Sequence, residues 1–276
     1  MRIMTRLAGI AAVLVAACFA AGPASALIYV SENGSNATGD GTRDNPFRTL
    51  QKAADASPDF GFIYCLDPPF RQAQALTING KSLVIKCADG VIETTQSPAV
   101  MINNGPTQTV TLDGLFIVTF DDGRGVQLDR GHKAILKNMT ISGGGGDNSI
   151  GVLDRPNTPN SELIIIESLI QDFKTGVRIV PRNGVQHNAL ISNSNVLQND
   201  IGFDLKNGGR ATIADTDFFG NNKIAIRAAP GTLPILTGNT ITNNNIGFKG
   251  VGVSSRNNTF LNTTDVDGVL SAKTQQ

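Results

Sequence analysis

The sequence predicts an all-β chain wound as a single-stranded parallel β-helix, a solenoid of about nine coils with a short helix over its N-terminal end. Three observations carry this prediction. A glycine followed by alternating apolar residues recurs at Gly125-Val126-Gln127-Leu128, Gly151-Val152-Leu153, Gly176-Val177-Arg178-Ile179 and Gly202-Phe203-Asp204-Leu205, in steps of 26, 25 and 26 residues. Two further short apolar runs follow each start, as in Leu163 to Ile166 with Leu169-Ile170, and Ala189 to Ile191 with Val196-Leu197. The 276 residues include 30 Gly and 25 Asn, which accept the left-handed backbone of tight turns, and no Trp. Three strands of roughly five residues, each near 17 Å long, close one coil. A lone coil cannot bury its inward residues, whereas stacked coils bury them against one another. An all-β sandwich would instead show hairpin turns and no constant period.

Residues 1–26 read as a secretory signal peptide. Arg2 and Arg6 give a basic start, Leu7 to Ala21 is apolar, and Ala24-Ser25-Ala26 is a small-residue cleavage site. Val15-Ala16-Ala17-Cys18 resembles a bacterial lipobox, so lipid attachment at Cys18 is the alternative. The apolar run is too short for a comfortable membrane span, and no transmembrane anchor is expected. The rest, 27–276, reads as one domain in the periplasm or outside the cell, with a cap region over about 27–60. Without its leader the chain holds 21 basic and 23 acidic residues, a balance that argues against a nucleic-acid partner. Cys65 and Cys87 are then the remaining cysteines. An even count in an exported chain predicts a disulfide, two unpaired buried thiols being the alternative.

Phe47, Leu50, Ala53 and Ala54 fall on one helical face behind Pro46. A helix here would cover strand edges that otherwise invite aggregation. Ala75 to Ile78 with Leu83 to Ile85, and Ala99 to Ile102 with Val110 to Leu112 and Leu115 to Val118, form earlier, less regular coils. Later coils continue through Ile224-Ala225-Ile226 and Gly247-Phe248, and Asn138, Asn193, Asn195, Asn239 and Asn257 suit the turns.

Tyr29-Val30-Ser31-Glu32-Asn33-Gly34-Ser35-Asn36, followed by Gly41-Thr42-Arg43-Asp44-Asn45-Pro46-Phe47-Arg48-Thr49-Leu50-Gln51-Lys52-Ala53, resembles the N-terminal signature of right-handed parallel β-helix proteins of the pectate-lyase-like superfamily. The coils from about Gly125 to Leu261 resemble the generic repeat of that group, especially its small exported bacterial members. The resemblance implies right-handed winding. Activity stays open, because the superfamily includes lyases, hydrolases, epimerases, tailspikes and adhesins.

Polygalacturonase-like relatives carry an Asn-Thr-Asp motif, an Asp-Asp pair, a Gly-His-Gly and an Arg-Ile-Lys. Here Asp121-Asp122, Gly131-His132-Lys133 and Arg178-Ile179-Val180 match only in part, and Asn-Thr-Asp is absent. Asp122 and His132 lie ten residues apart, less than half a coil, and so would not stack. Asp121-Asp122-Gly123 reads better as a turn. His132 and His187 lack a nucleophile partner by motif. Lyase-like relatives need a basic residue with calcium or another cation nearby, on one outward strand stack.

Period-two alternation turns Val126, Val177, Phe203 and Leu205 inward, and Gln127, Arg178, Asp204 and Lys206 outward. Asp129 and Asp154, each in a Leu-Asp-Arg triplet, join them, so one face would carry Asp129, Asp154, Arg178, Asp204 and Lys206. On that register Leu205→Asp damages the core and Asp204→Leu is mild. The face suits a polysaccharide or cell-surface component. Function therefore reads as a glycan- or surface-binding module without a cofactor, or alternatively as a polysaccharide lyase or related enzyme, with Ca2+ in the lyase case.

Overall fold

The structure is a computed structural model that describes residues 27–131, 133–182, 185–255 and 257–272. The signal peptide, the Cys18 alternative and His132 all fall outside these residues. Among the described residues, twenty-five strands form one continuous parallel network, with a single short helix near the start. The chain makes about 8 turns, close to the nine read from the repeat.

Three strand stacks make the walls. One runs through Val100–Asn103, Arg124–Arg130, Ile150–Asp154, Thr175–Ile179, Ile201–Leu205 and Ile224–Ala228. A second includes Lys133–Lys137, Ser161–Ile166, His187–Ser192, Arg210–Ala214 and Leu233–Thr237. The third includes Thr140–Ser142, Leu169–Gln171, Asn195–Leu197, Asp217–Phe219 and Thr240–Thr242. Val126, Val177, Phe203 and Leu205 are fully buried, as the alternation requires.

The repeated glycine has a steric origin. A Cβ on Gly151 would lie 2.6 Å from the Gly176 carbonyl oxygen of the next coil, and a Cβ on Gly176 would lie 2.7 Å from that of Gly202. At these coils the first wall is pressed too close for a larger side chain, which is why the period is visible in the sequence until Ala225 takes the position.

Corners use the predicted residue types with a different division of labour. Asn138 and Asn193 take φ of 51° and 48°. Two other stacks are interior. Asn199 Nδ2 donates to Asn221 Oδ1 (3.2 Å), Asn221 Nδ2 to Asn244 Oδ1 (2.9 Å) and Asn244 Nδ2 to Asn262 Oδ1 (2.8 Å). Asn239 belongs to the other stack, donating to Asn258 Oδ1 at 2.8 Å. Asn257 accepts from the Gly238 N–H, while Asn195 sits exposed in a strand.

The N-terminal end is sealed. The helix is Leu50–Ala56, with Thr49 as its N-cap accepting from Lys52 N–H. It starts later than the sequence suggests, because Phe47 forms a parallel bridge with Val30 instead of a helical turn. Leu50, Ala53 and Ala54 are buried beneath it. The Gln51 side chain acts as a surrogate strand, accepting from Thr77 N–H (2.7 Å) and donating to Thr77 C=O (3.1 Å). Lys81 Nζ donates to the carbonyls of Ala54, in the last turn, and of Ser57, the C-cap. Cys65 and Cys87 form the predicted disulfide, tying two successive coils together.

Candidate functional site

The first wall positions the predicted face, and its ladder decides which residues share it. Arg178 stands beside Asp204, and Asp204 beside Arg227 on the following coil. Arg178 Nε donates to Asp204 Oδ2 at 3.0 Å; Arg227 donates through Nε to Oδ1 and through Nη2 to Oδ2, both at 2.8 Å. Lys206 Nζ lies 3.5 Å from the same carboxylate. The Asp204 side chain is 0% exposed, so it is an outward residue covered by its cationic neighbours. This corrects the expectation that Asp204→Leu is mild: alternation assigns direction, but stacked long side chains determine burial.

Burial by itself would raise the Asp204 carboxyl. The Arg227 hydrogen bonds, with the charges of Arg227, Lys206 and Arg178, outweigh it and hold the group below the ordinary carboxylate value. The same hydrogen bonds raise Arg227.

Asp129 joins the face one coil pair earlier. It accepts from Arg155 Nε at 2.7 Å and from Gln127 Nε2 at 2.9 Å, with Arg182 at 3.7 Å. Gln127 in turn accepts from Arg124 Nη1. Arg124, Arg155, Arg178, Arg182, Lys206 and Arg227 thus gather around Asp129 and Asp204, and the same column continues into the Lys249–Asp267 pair. The face is basic although the chain as a whole is neutral.

Asp154 does not belong to it. The ladder pairs Asp154 with Leu128 and Ile179, an inward column, whereas Arg155 continues beside Asp129. The two Leu-Asp-Arg triplets are 25 residues apart but the coil step from Gly125 to Gly151 is 26, so one triplet slips and its carboxylate changes side. Inside, Asp154 Oδ2 lies 2.8 Å from His187 Nε2, with the ring N–H not aimed along that line. Ser161 Oγ meets His187 Nδ1 at 2.9 Å. All three residues are buried, so this cluster offers no nucleophile to solvent.

Arg227 was missed from the sequence although Ile226-Arg227-Ala228 repeats the alternation of Val177-Arg178-Ile179. Ala225 replaces the glycine there, and the coil is shorter. The partial hydrolase motif is a turn: Asp121 has φ 47°, and Asp122 accepts from Asn148 N–H and Nδ2. Calcium does not fit the face, because guanidinium and ammonium groups already engage both carboxylates. Among the described residues no cluster of three or more His, Cys, Asp or Glu is placed to hold a metal.

The family model described as "Right handed beta helix region" matches residues 100–265. The chain belongs to the right-handed β-helix family. Its solenoid resembles the crystal structure of a pectate lyase, Pel9A, with a TM-score of 0.56 and 14% identity over 90% of this chain and 78% of that one. A rhamnogalacturonan lyase aligns with a TM-score of 0.45 and 12% identity, covering 88% of this chain and 87% of the other. A lacto-N-biosidase from Eubacterium ramulus aligns at 0.45 and 11%, covering 90% of this chain and 67% of the other. No curated protein matches the sequence. At these identities the likeness is one of β-helix fold, and activity must be argued from the residues.

Proposed function

We propose that this β-helix protein is an exported binding module that holds an acidic polysaccharide or cell-surface glycan on its basic face. The observation that carries the proposal is the concentration of six cations around two carboxylates on one wall of a neutral chain. Guanidinium groups match carboxylate oxygens in a two-pronged geometry, so a polyanion of sugar acids complements a patch of arginines spread over successive coils. The disulfide supports passage through an oxidising compartment.

A lyase reading is favoured by the fold likeness to pectate lyase. It would use Arg178 or Lys206 as the base. Arg178 is a poor choice, because its Nε–H already donates to Asp204 and a base must be free to receive the substrate proton.

The experiment is incubation of the purified chain with pectate, alginate and bacterial exopolysaccharides. Retention of one or more polymers without unsaturated-sugar absorbance supports the binding module. Absorbance that grows with time and vanishes in Lys206→Ala or Arg178→Ala establishes the lyase, and an outcome with neither retention of an acidic polymer nor such absorbance overturns both readings.

A further inference from the structure

The two ends of the solenoid are built differently. At the N-terminal end, Leu27–Val30 is closed by backbone bonds from 41–47: Tyr29 N–H donates to Gly41 C=O, Ser31 N–H to Phe47 C=O, and Phe47 N–H to Tyr29 C=O. At the other end, Thr264–Ala272 pairs with Ile246–Ser254 along one edge, and its second edge has no strand partner among the described residues. Among the described residues, no strand or helix covers the ends of the inward columns there. Val177, Phe203, Ile226 and Phe248 are 0% exposed, but Val266, next in that column, is 38% exposed. Phe260 and Leu270, which end two other inward columns, are only partly buried. An interior apolar surface thus meets solvent beside nine residues of free strand edge, a combination that favours pairing with another edge.

We propose that this end docks a second copy of the chain, tail to tail, about a two-fold axis. The sealed N-terminal end offers no edge, so head-to-tail stacking is blocked and the free edge has its own duplicate as the matching surface. Two identical edges related by a two-fold run antiparallel. Centred on Gly268, where the strand turns between two walls, this places Val266 of one copy against Leu270 of the other, joining interior columns to interior columns. Asp265 then faces Ser271, and Asp267 faces Val269, so no carboxylate meets its own duplicate. Asp267 is already neutralised by Lys249 at 2.6 Å, and Asp265 accepts from Asn262 N–H and Nδ2. The edge therefore meets its duplicate without a clash of like charges.

Sedimentation velocity over a micromolar-to-millimolar range is expected to show a monomer–dimer equilibrium that stops at two copies, with association weakened about tenfold or more in Val266→Lys. Circular dichroism checks that Val266→Lys keeps its β structure. Independently of that variant, a mixture of Asp265→Cys and Ser271→Cys chains is expected to form an intermolecular disulfide under mild oxidation that neither chain forms alone. A monomer throughout, a ladder of higher oligomers, a dimer unmoved by a folded Val266→Lys, or an absent mixed cross-link would each overturn the proposal.

Discussion

Asp204 is the residue on which the outer face depends. Arginines above and below hide it from solvent and satisfy its oxygens, so its removal leaves three cations without a counter-charge. Asp204→Asn is expected to cost about 2–4 kcal/mol, less than a deeply buried pair because the arginines keep some exposure, measured by urea denaturation. The pH dependence follows from the lowered carboxyl. A group whose folded pKa lies below its unfolded value, about 3.9, contributes its full stability above that value and loses it as pH falls through the folded pKa. Wild type should therefore lose stability below about pH 4 more steeply than Asp204→Asn does, and equal slopes would remove Asp204 from the acid response. Asp154 shows where residue-level reading fails. Its triplet looks equivalent to that of Asp129, and only the ladder reveals the one-residue offset that sends it inward to His187. Asp154→Leu and His187→Leu singly are expected to destabilise by about 1–3 kcal/mol, since each strands a buried polar partner. The double variant should cost less than the two losses added together; a double-mutant cycle with additive losses would contradict the pairing.

Among the elements, strands were legible because alternation and the glycine step report two hard constraints, inward burial and the close approach of successive coils. Corners were legible only by residue type. Asn138 and Asn193 occupy left-handed turns as expected, yet the amide stack through Asn199, Asn221, Asn244 and Asn262 escaped notice, because their spacing shortens to 22, 23 and 18 residues as the coils contract. Asn221 sits in the middle of the stack, accepting from Asn199 and donating to Val196 C=O and Asn244. Asn221→Ala is expected to cost about 2–3 kcal/mol, beyond one ordinary hydrogen bond, since it leaves buried backbone groups unpaired. Asn195→Ala, on an exposed strand position, should stay within about 0.5 kcal/mol. Comparable losses in thermal or chemical denaturation would show that the stack carries no special weight. The capping helix was placed but started too early: its apolar face was visible, whereas the competing bridge between Phe47 and Val30 depends on a contact that helical periodicity cannot express.

Across the whole molecule the architecture is close to one-dimensional, each coil answering mainly to its neighbours. The Cys65–Cys87 bond should therefore act locally. A closed loop of 22 residues is worth about 3 kcal/mol in the chain-entropy view, and Cys65→Ala should lose hydrogen-exchange protection in the coils before Val126 while those after Phe203 keep theirs. Uniform loss along the solenoid would mean that the coils unfold as one unit. The overall winding was readable because a repeat multiplies a weak local signal. The basic character of the face was not, because balanced totals conceal how charge is distributed over the walls.

The central claim is that this face recognises the acid groups of a glycan, and carboxyl reduction tests it most directly. An acidic polysaccharide retained by the protein is compared with the same polymer after its carboxylates are reduced to alcohols, using wild type and an Arg124→Glu, Arg182→Glu double variant of unchanged melting temperature. Both substitutions lie at the rim of the face, leaving the Arg178–Asp204–Arg227 centre intact. The predicted result is binding of the acidic polymer by wild type alone, weakening as salt rises, and no binding of the reduced polymer by either protein. Equal retention of acidic and reduced polymer, or full binding by the double variant, would contradict the account.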